Sequence, residues 1–327
     1  MEIRPDPPLI AVLMATYNGA RYLSEQLDSL WQQTLQDFEI IVRDDGSADD
    51  TLKVLSRESA RHPGRVRIID DKFGRIGPKN SFAALLRHSR SRWVAFCDQD
   101  DSWLPGKLER QVHVLQSLEV VYGFEVPLLC CSDAIITDSN LRTTEPSYFS
   151  KHRIDIAKGR DLALPRLLFR NYAIGATTMI NRALADRCRD IPDEAIMHDW
   201  WCALVACVSG HSVVLPDAQV RYRQHGANAI GSRRLVRPRS MADWRELFKR
   251  TRENSARCLR QAQTLHRATA RFKGSISYED KAVLSDYEGF AARSPFSRAM
   301  TLLRNRSFKP GLAVNGLHLY SCATTDL

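Results

Sequence analysis

Trp93-Val94-Ala95-Phe96-Cys97-Asp98-Gln99-Asp100-Asp101 sets a run of five apolar residues directly before three carboxylates crowded into four positions. A short unbroken apolar run closed by a polar turn predicts a strand buried on both faces, the habit of a parallel sheet covered by helices. On either side the same pattern recurs. Residues 9–15 are a second apolar run, ending in Thr16-Tyr17-Asn18-Gly19; Tyr22, Leu23, Leu27, Leu30 and Trp31 then recur at helical spacing. Residues 38–43 and 66–69 predict further strands, and residues 78–89 a third helix. Ser47 with Asp50 forms a capping signal ahead of Leu52, Val54 and Leu55, and Pro105 suits the first turn of a helix reaching residue 118. Alternation of this kind predicts an α/β domain with a mostly parallel sheet flanked by helices.

Farther along the pattern loosens. Strands are predicted at 128–132, 176–180, 212–215 and 220–223, and helices near 161–169 and 198–208. Charge then divides the chain: 28 basic and 30 acidic residues precede position 233, whereas 19 basic and 8 acidic residues follow it, so the net charge of +9 comes from the tail. A boundary is therefore expected at 232, with a catalytic domain over 1–232 and a basic, mainly helical extension over 233–327. Within the extension, Trp244, Leu247, Phe248, Cys258, Leu259, Ala262, Leu265 and Ala268 recur roughly on one face of a basic amphipathic helix, or pair of helices, over 241–272. Such a helix can lie on an anionic membrane surface, pack on the domain or form a dimer contact.

With 44% hydrophobic and 26% charged residues in 327, the composition is that of a globular protein with a sizeable core. The longest apolar run, 200–208, falls short of the roughly 18–20 residues that cross a bilayer. The first eight residues lack the apolar core of a secretory signal, so a cytoplasmic location is expected. Eight cysteines with no C-x-x-C pair read as reduced core thiols.

Three acidic clusters follow apolar runs, where ligands bind in open α/β sheets. Arg43-Asp44-Asp45-Gly46-Ser47 offers carboxylates either to a nucleotide or to a helix cap. Asp98-Gln99-Asp100-Asp101 is self-repelling, and a hard divalent ion held by one or two carboxylates plus substrate phosphates relieves that repulsion. His198-Asp199-Trp200-Trp201 opens a helix, where Asp199 is either a cap or a proton-accepting carboxylate beside an aromatic wall. Arg221 and Arg223 share a strand face turned to diphosphate or to water, and His225 is a ligand or a turn histidine before Gly226.

Taken together, the segments 12–18, Asp44-Asp45-Gly46-Ser47 with Asp49 and Thr51, Asp98-Gln99-Asp100-Asp101, and His198-Asp199-Trp200-Trp201 followed by Tyr222-Arg223-Gln224-His225-Gly226 resemble glycosyltransferase family 2 in order and separation. The similarity covers residues 9–232, and the Asp-Gln-Asp-Asp and Arg-Gln-His-Gly forms look most like bacterial rhamnosyltransferases of surface polysaccharide assembly. The resemblance implies a GT-A fold whose nucleotide-binding sheet carries donor and metal on its first half and acceptor on its second. It implies that Asp45 holds the base and Asp98 the ribose, that Ala15, Thr16 and Tyr17 line the base pocket, and that Lys79 and Asn80 approach the nucleotide. It further implies that Asp100 ligates Mn2+ or Mg2+, that Asp199 is the catalytic base, and that His225 and Arg223 meet metal and diphosphate. Many members have Glu-Asp where this chain has His198-Asp199.

The implied reaction moves a sugar, rhamnose from dTDP-rhamnose or a hexose from a UDP-sugar, to a saccharide or lipid-linked saccharide in O-antigen- or capsule-like synthesis. A hydroxyl nucleophile needs a general base, here Asp199, and with no second carboxylate beside it the expected outcome is inversion. A nucleotidyltransferase is disfavoured by the single glycine in residues 14–19, and nucleic-acid binding by the net acidity of residues 1–232. Peripheral contact with the inner face of the cell membrane remains an expectation for the basic tail.

Overall fold

The computed structural model describes residues 7–154, 163–226, 240–272, 276–305 and 320–322. The first half is a regular alternation: β1 (Ile10–Thr16), α1 (Ala20–Trp31), β2 (Phe38–Asp44), α2 (Thr51–Arg61), β3 (Val66–Ile68), α3 (Gly77–His88), β4 (Trp93–Asp98), β5 (Ser102–Trp103) and α4 (Lys107–Tyr122). There follow β6 (Leu128–Thr137), β7 (Thr143–Glu145), α5 (Tyr148–Lys151), α6 (Leu164–Leu167), β8 (Met179–Asn181), α7 (Arg182–Arg187), α8 (His198–Ser209) and β9 (His211–Arg223). Three further helices are α9 (Met241–Thr269), α10 (Tyr278–Glu288) and α11 (Pro295–Arg304).

The strands form one nine-stranded sheet in the order β3-β2-β1-β4-β8-β6-β9-β5, with β7 against β6. The β3, β2, β1 and β4 strands run parallel, the arrangement predicted from the alternation of short, largely apolar runs with amphipathic helices. Beyond them β8 is antiparallel to both β4 and β6, whereas β6 and β9 are parallel to each other. Because side chains alternate along a strand, β1 feeds two cores. Ala11 and Leu13 face one shared with Phe82, Leu85 and the α8 residues Trp200 to Ala206. Ile10, Val12 and Met14 face another shared with Leu23, Leu27 and Leu30 of α1 and Leu108, Val112 and Leu115 of α4. All eight cysteines are free thiols, as expected, and all but Cys207 are buried.

Several predicted details are corrected. Ser47 does not cap α2; its hydroxyl donates to Asp44 Oδ1 and accepts from the Asn18 amide, while Asp49 Oδ1 takes the Thr51 amide. Pro105 lies outside α4, which begins at Lys107 after Gly106, and the Pro105 carbonyl accepts the Thr34 amide instead. The segments 212–215 and 220–223 are one strand, β9, because it stays paired with β6 across register shifts on both sides of Asp133. The start of the predicted 176–180 strand is a 3-10 turn, Gly175–Thr177, before β8. Of the helix near 161–169, α6 is present, and residues 161 and 162 lie outside the described residues.

The tail helix is present but does not use a single face throughout. Its start carries a capping box between Ser240 and Asp243. Cys258, Leu259, Ala262 and Leu265 are buried in the same core as α3 and α8, whereas Trp244 and Phe248 are 43% and 39% exposed. The second half of α9 is therefore built into the core. The basic stretch at 233–239 lies outside the described residues.

Candidate active site

Register alone brings the N-terminal motifs to one rim. Along β1, Thr16 lies opposite Asp44 of β2, and Ala15 lies between Arg43 of β2 and Asp98 of β4. These are the carboxyl ends of adjacent parallel strands, where an α/β sheet presents its ligand crevice. Thr16 donates its hydroxyl to Asp44 Oδ1 at 2.8 Å. Beyond it, Gln99 clamps the backbone of Tyr17 on both sides, accepting the amide and donating to the carbonyl, each at 2.9 Å. The clamp explains Gly19: a Cβ there would sit 2.0 Å from Gln99 Oε1.

Asp45 is buried and held by four donors. Its Oδ1 accepts from the Arg43 guanidinium at 2.7 Å, the Ile76 amide at 2.7 Å and the Ser81 hydroxyl at 3.4 Å, and its Oδ2 accepts the Gly77 amide at 2.9 Å. Arg43, itself buried, also pairs with Asp71 at 2.7 Å and donates to the Gly74 carbonyl. One arginine thereby fixes the loop between β3 and α3 over the end of β2. From that loop, the Arg75 guanidinium lies 4.1 Å from the centre of the Tyr17 ring.

The acidic turn after β4 is met by the end of β9, brought there by antiparallel pairing of Ser102 with Arg221. Asp100 Oδ2 lies 2.8 Å from His225 Nε2, and the His225 ring packs on Tyr22 at 4.7 Å. Arg223 is buried, donating to the carbonyls of Asp100 and Ser139, each at 2.6 Å, pairing with Glu25 at 2.5 Å, and lying over Tyr22. Its amide donates to Asp101 Oδ1 at 2.9 Å, while the buried Asp101 Oδ2 has no hydrogen-bond partner among the described residues. Burial, then the neighbouring Asp100 and Asp98, pushes the Asp101 carboxyl well above the carboxylate range. Burial, then Asp100 and Asp199, pushes Asp98 up to about 7. The turn thus concentrates more negative charge than it can keep ionised without a compensating cation.

Asp199 stands on the first turn of α8 and acts on Asp98 electrostatically. Its Oδ2 accepts the Gly175 amide at 2.8 Å, its Oδ1 accepts the Trp200 amide at 2.6 Å, and the Asn171 side chain donates as well. Burial outweighs those donors and lifts the carboxyl to about 6. The approach at Gly175 is tight: a Cβ there would lie 3.2 Å from His198 Nε2 and 3.4 Å from Asp199 Oδ2, so His198 would have to give by a few tenths of an ångström. His198 is buried, stacked on Phe82 at 3.8 Å and edge-on to Phe96, and neither ring nitrogen has a hydrogen-bond partner among the described residues. Burial pushes it down to about 3, so it stays neutral. Of the expected aromatic wall, Trp200 and Trp201 are core residues, and Trp200 donates its indole N–H to the Leu167 carbonyl.

The structure therefore brings Ala15, Thr16, Tyr17, Asp45, Asp98, Asp100, Arg223 and His225 to one rim, with Asp199 in electrostatic reach. Lys79 is placed elsewhere, donating to the carbonyls of Pro192 and Asp193 at 3.3 and 2.8 Å, and Asn80 donates to the Ile76 carbonyl. Sequence reasoning passed over Gln99 and the organising role of Arg43. An arginine directly after the apolar Ile40-Ile41-Val42 was the available signal, because a buried arginine requires partners. Among the described residues no three or more His, Cys, Asp or Glu side chains form a ready-made cation cage.

A parallel sheet opening onto a carboxylate-rich rim, continued by a mixed second half, is the architecture of the GT-A transferases, and solved structures share it. In complex with UDP-GlcNAc, S. aureus TarS 1–349 matches 96% of this chain and 90% of its own length at a TM-score of 0.54 and 17% identity. The mannosyltransferase PcManGT from Pyrobaculum calidifontis, in complex with GDP-Man and Mn2+, matches 98% of this chain and 88% of its own at a TM-score of 0.53 and 19% identity. Residues 11–138, less than half of the chain, match the family described as Glycosyl transferase family 2.

Among curated relatives, an uncharacterized glycosyltransferase of Nostoc sp. is 38% identical over 112 residues, covering 34% of each chain. The Escherichia coli UDP-Glc:alpha-D-GlcNAc-diphosphoundecaprenol beta-1,3-glucosyltransferase WfgD is 30% identical over 123 residues, 36% of this chain and 46% of its own. An uncharacterized protein of Mycobacterium bovis is 28% identical over 218 residues, 66% of this chain and 59% of its own. The chain spans from 34% to 59% of the length of these relatives.

Proposed function

We propose that this chain is a metal-dependent glycosyltransferase that moves a sugar from a nucleoside diphosphate to a saccharide hydroxyl with inversion. The observation that carries it is the buried Asp199 carboxyl, poised at about 6 and acting electrostatically on Asp98, together with the Asp100–His225 pair in the same turn as Asp98. Asp199 accepts the acceptor's proton, which its raised affinity makes favourable at neutral pH while leaving it ionised before the encounter. The Gly175 amide and the Asn171 side chain hold the carboxylate in orientation. Asp45, Tyr17 and the Arg43-anchored loop receive the base, and Asp98 the ribose. Arg223 acts as a positioning residue, fixing the acidic turn through the Asp100 carbonyl.

Asp100 and His225 suit Mn2+ or Mg2+, since such ions take a few protein ligands and complete their shell from substrate phosphate. When bound, the cation offsets charge on the departing nucleoside diphosphate. Lys79 and Asn80 remain in the proposed nucleotide-facing set only as side chains that must leave their present carbonyl partners.

Rhamnose from dTDP-rhamnose is the donor favoured by the motif forms. A UDP-hexose is the second reading, favoured by the UDP-Glc and UDP-GlcNAc in the names of similar proteins. The acceptor is a saccharide or lipid-linked saccharide of a surface polysaccharide, met at the cytoplasmic face of the membrane. Among the described residues no helix is long and apolar enough to cross a membrane. Peripheral contact, if made by α9, falls to its exposed start at Met241, Trp244 and Phe248, and equal flotation of the chain with and without anionic liposomes would end that part of the reading. The whole reading is tested by nucleoside diphosphate release from dTDP-rhamnose, UDP-glucose, UDP-GlcNAc and GDP-mannose, with and without Mn2+. Metal-dependent release from at least one is expected; release from none overturns it. NMR of the first-formed product tests inversion, and a product that keeps the donor's anomeric configuration rejects it.

A further inference from the structure

Beside the acidic turn stands a tyrosine pair to which the resemblance gives no role, although Tyr222 opens the Tyr222–Gly226 motif. Tyr148 opens α5 and Tyr222 lies near the end of β9, their ring centres 6.1 Å apart and edge to face at 84°. Both are partly exposed. The α5 turn is pinned to β6, because the Ser147 hydroxyl and the Phe149 amide both donate to the buried Asp133 carboxylate. The His152 ring lies 4.1 Å from that of Tyr148 and fixes its attitude. Burial, opposed by Arg170 and reinforced by Asp199, raises the Tyr148 phenol, and burial followed by Asp101 and Asp98 raises that of Tyr222. Tyr222 directly precedes Arg223, whose amide bonds Asp101 of the acidic turn, and the Gly175–Thr177 turn that holds Asp199 packs against β4, β6 and β9, so the pair, the proposed base and the acidic turn share one neighbourhood.

An acceptor hydroxyl that surrenders its proton to Asp199 must face the donor, so the rest of its sugar lies on the side away from the nucleotide. That is the side of β6, β9 and α5. A pyranose offers a flat C–H face with hydroxyls at its edge, which matches an aromatic ring carrying a phenol. We propose that Tyr148 and Tyr222 form the acceptor platform, stacking one sugar ring so that its nucleophilic hydroxyl points to Asp199. The platform rests on the glycosyl-transfer reading above. It adds a substrate subsite built by α5 and β9, which lies mostly outside the matched segment 11–138.

Saturation-transfer NMR on the full chain, with UDP or dTDP and Mg2+ present, tests it with the methyl glycosides of rhamnose, glucose, galactose and N-acetylglucosamine as probes. At least one glycoside should show transfer to its ring C–H protons. Tyr148→Ala and Tyr222→Leu should each weaken that glycoside about tenfold, a loss of ~1.4 kcal/mol, whereas Tyr148→Phe and Tyr222→Phe keep most of the affinity. Calorimetric affinity for the nucleoside diphosphate should change by less than about twofold in all four, since the rings do not serve the donor. Should Tyr148→Ala fail to fold by near-ultraviolet circular dichroism, Tyr148→Leu takes its place. Undiminished glycoside binding in the Ala and Leu variants, a parallel loss of nucleotide affinity, or no transfer to any glycoside in the unaltered chain overturns the platform. Failure of the glycosyl-transfer reading shows separately, as an unaltered chain that binds no nucleoside diphosphate.

Discussion

His198 and Asp199 are adjacent, equally enclosed and opposite in what burial does to them. Desolvation disfavours whichever form is charged, so it raises the carboxyl to about 6 and depresses the imidazole to about 3. Asp199→Asn keeps the volume and loses the base: turnover should fall by about 10²–10⁴-fold with donor affinity within about twofold, measured by nucleotide release and calorimetry. In the unaltered chain, kcat should rise with pH through about 6 and then level off. Stability responds differently. Between pH 3 and 6.5 the unfolded chain protonates His198 and the folded chain does not, so this residue's contribution is present above pH 6.5 and is lost on acidification. Asp199 opposes it: with a folded value near 6 against 3.8, its contribution is present below 3.8 and is lost as pH rises through 6. Urea titrations across this range should show a shallower acid limb in His198→Leu and a steeper one in Asp199→Asn. The carboxylates were legible because charge at the end of an apolar run is improbable without purpose. The neutrality of His198 was not, since nothing in the local sequence reveals that Phe82 lies on its ring.

At the scale of elements, β1 to β4 and the third helix were readable within a residue or two, because buried parallel strands leave largely apolar runs, whereas α4 runs four residues past its expected end and β5 was not foreseen. Caps and connections were less so. Ser47 serves the loop of Asn18 rather than the helix that follows it, and β9 runs on across Pro216 only because it bulges there against a continuous β6. Arg43 is the clearest case of an element-level residue hidden in sequence: its partners Asp71 and Gly74 come from the next strand–helix connection. Replacing it by Met leaves Asp45 and Asp71 without their cation in a buried setting. The expected cost is about 3–5 kcal/mol in urea unfolding, with loss of donor binding because the loop carrying Arg75 is released. A cost below about 1 kcal/mol would show that the network does not organise the loop.

For the whole molecule, charge marks the segment after the sheet, where α9, α10 and α11 lie, but charge does not report packing. The apolar face of α9 contributes Cys258, Leu259, Ala262 and Leu265 to the core that also holds Trp200 and Phe82. A chain ending at residue 232 exposes that part of the core, and we expect it to melt well below the full chain or to aggregate. An unchanged melting temperature would instead support a self-standing unit over 1–232. What the sequence conveyed of the site was its chemistry; the convergence of β1, β2, β4, β9 and α8 on one rim required the fold.

The central claim is that a nucleoside diphosphate and a divalent cation meet at the acidic turn after β4. Calorimetric titration of UDP and dTDP into the full chain and into Asp100→Ala, each with and without Mn2+, tests it most directly. The account predicts Mn2+-dependent binding of at least one nucleotide, weakened about tenfold or more in Asp100→Ala. Binding of neither nucleotide in the presence of Mn2+, or equal binding by both chains, would contradict it.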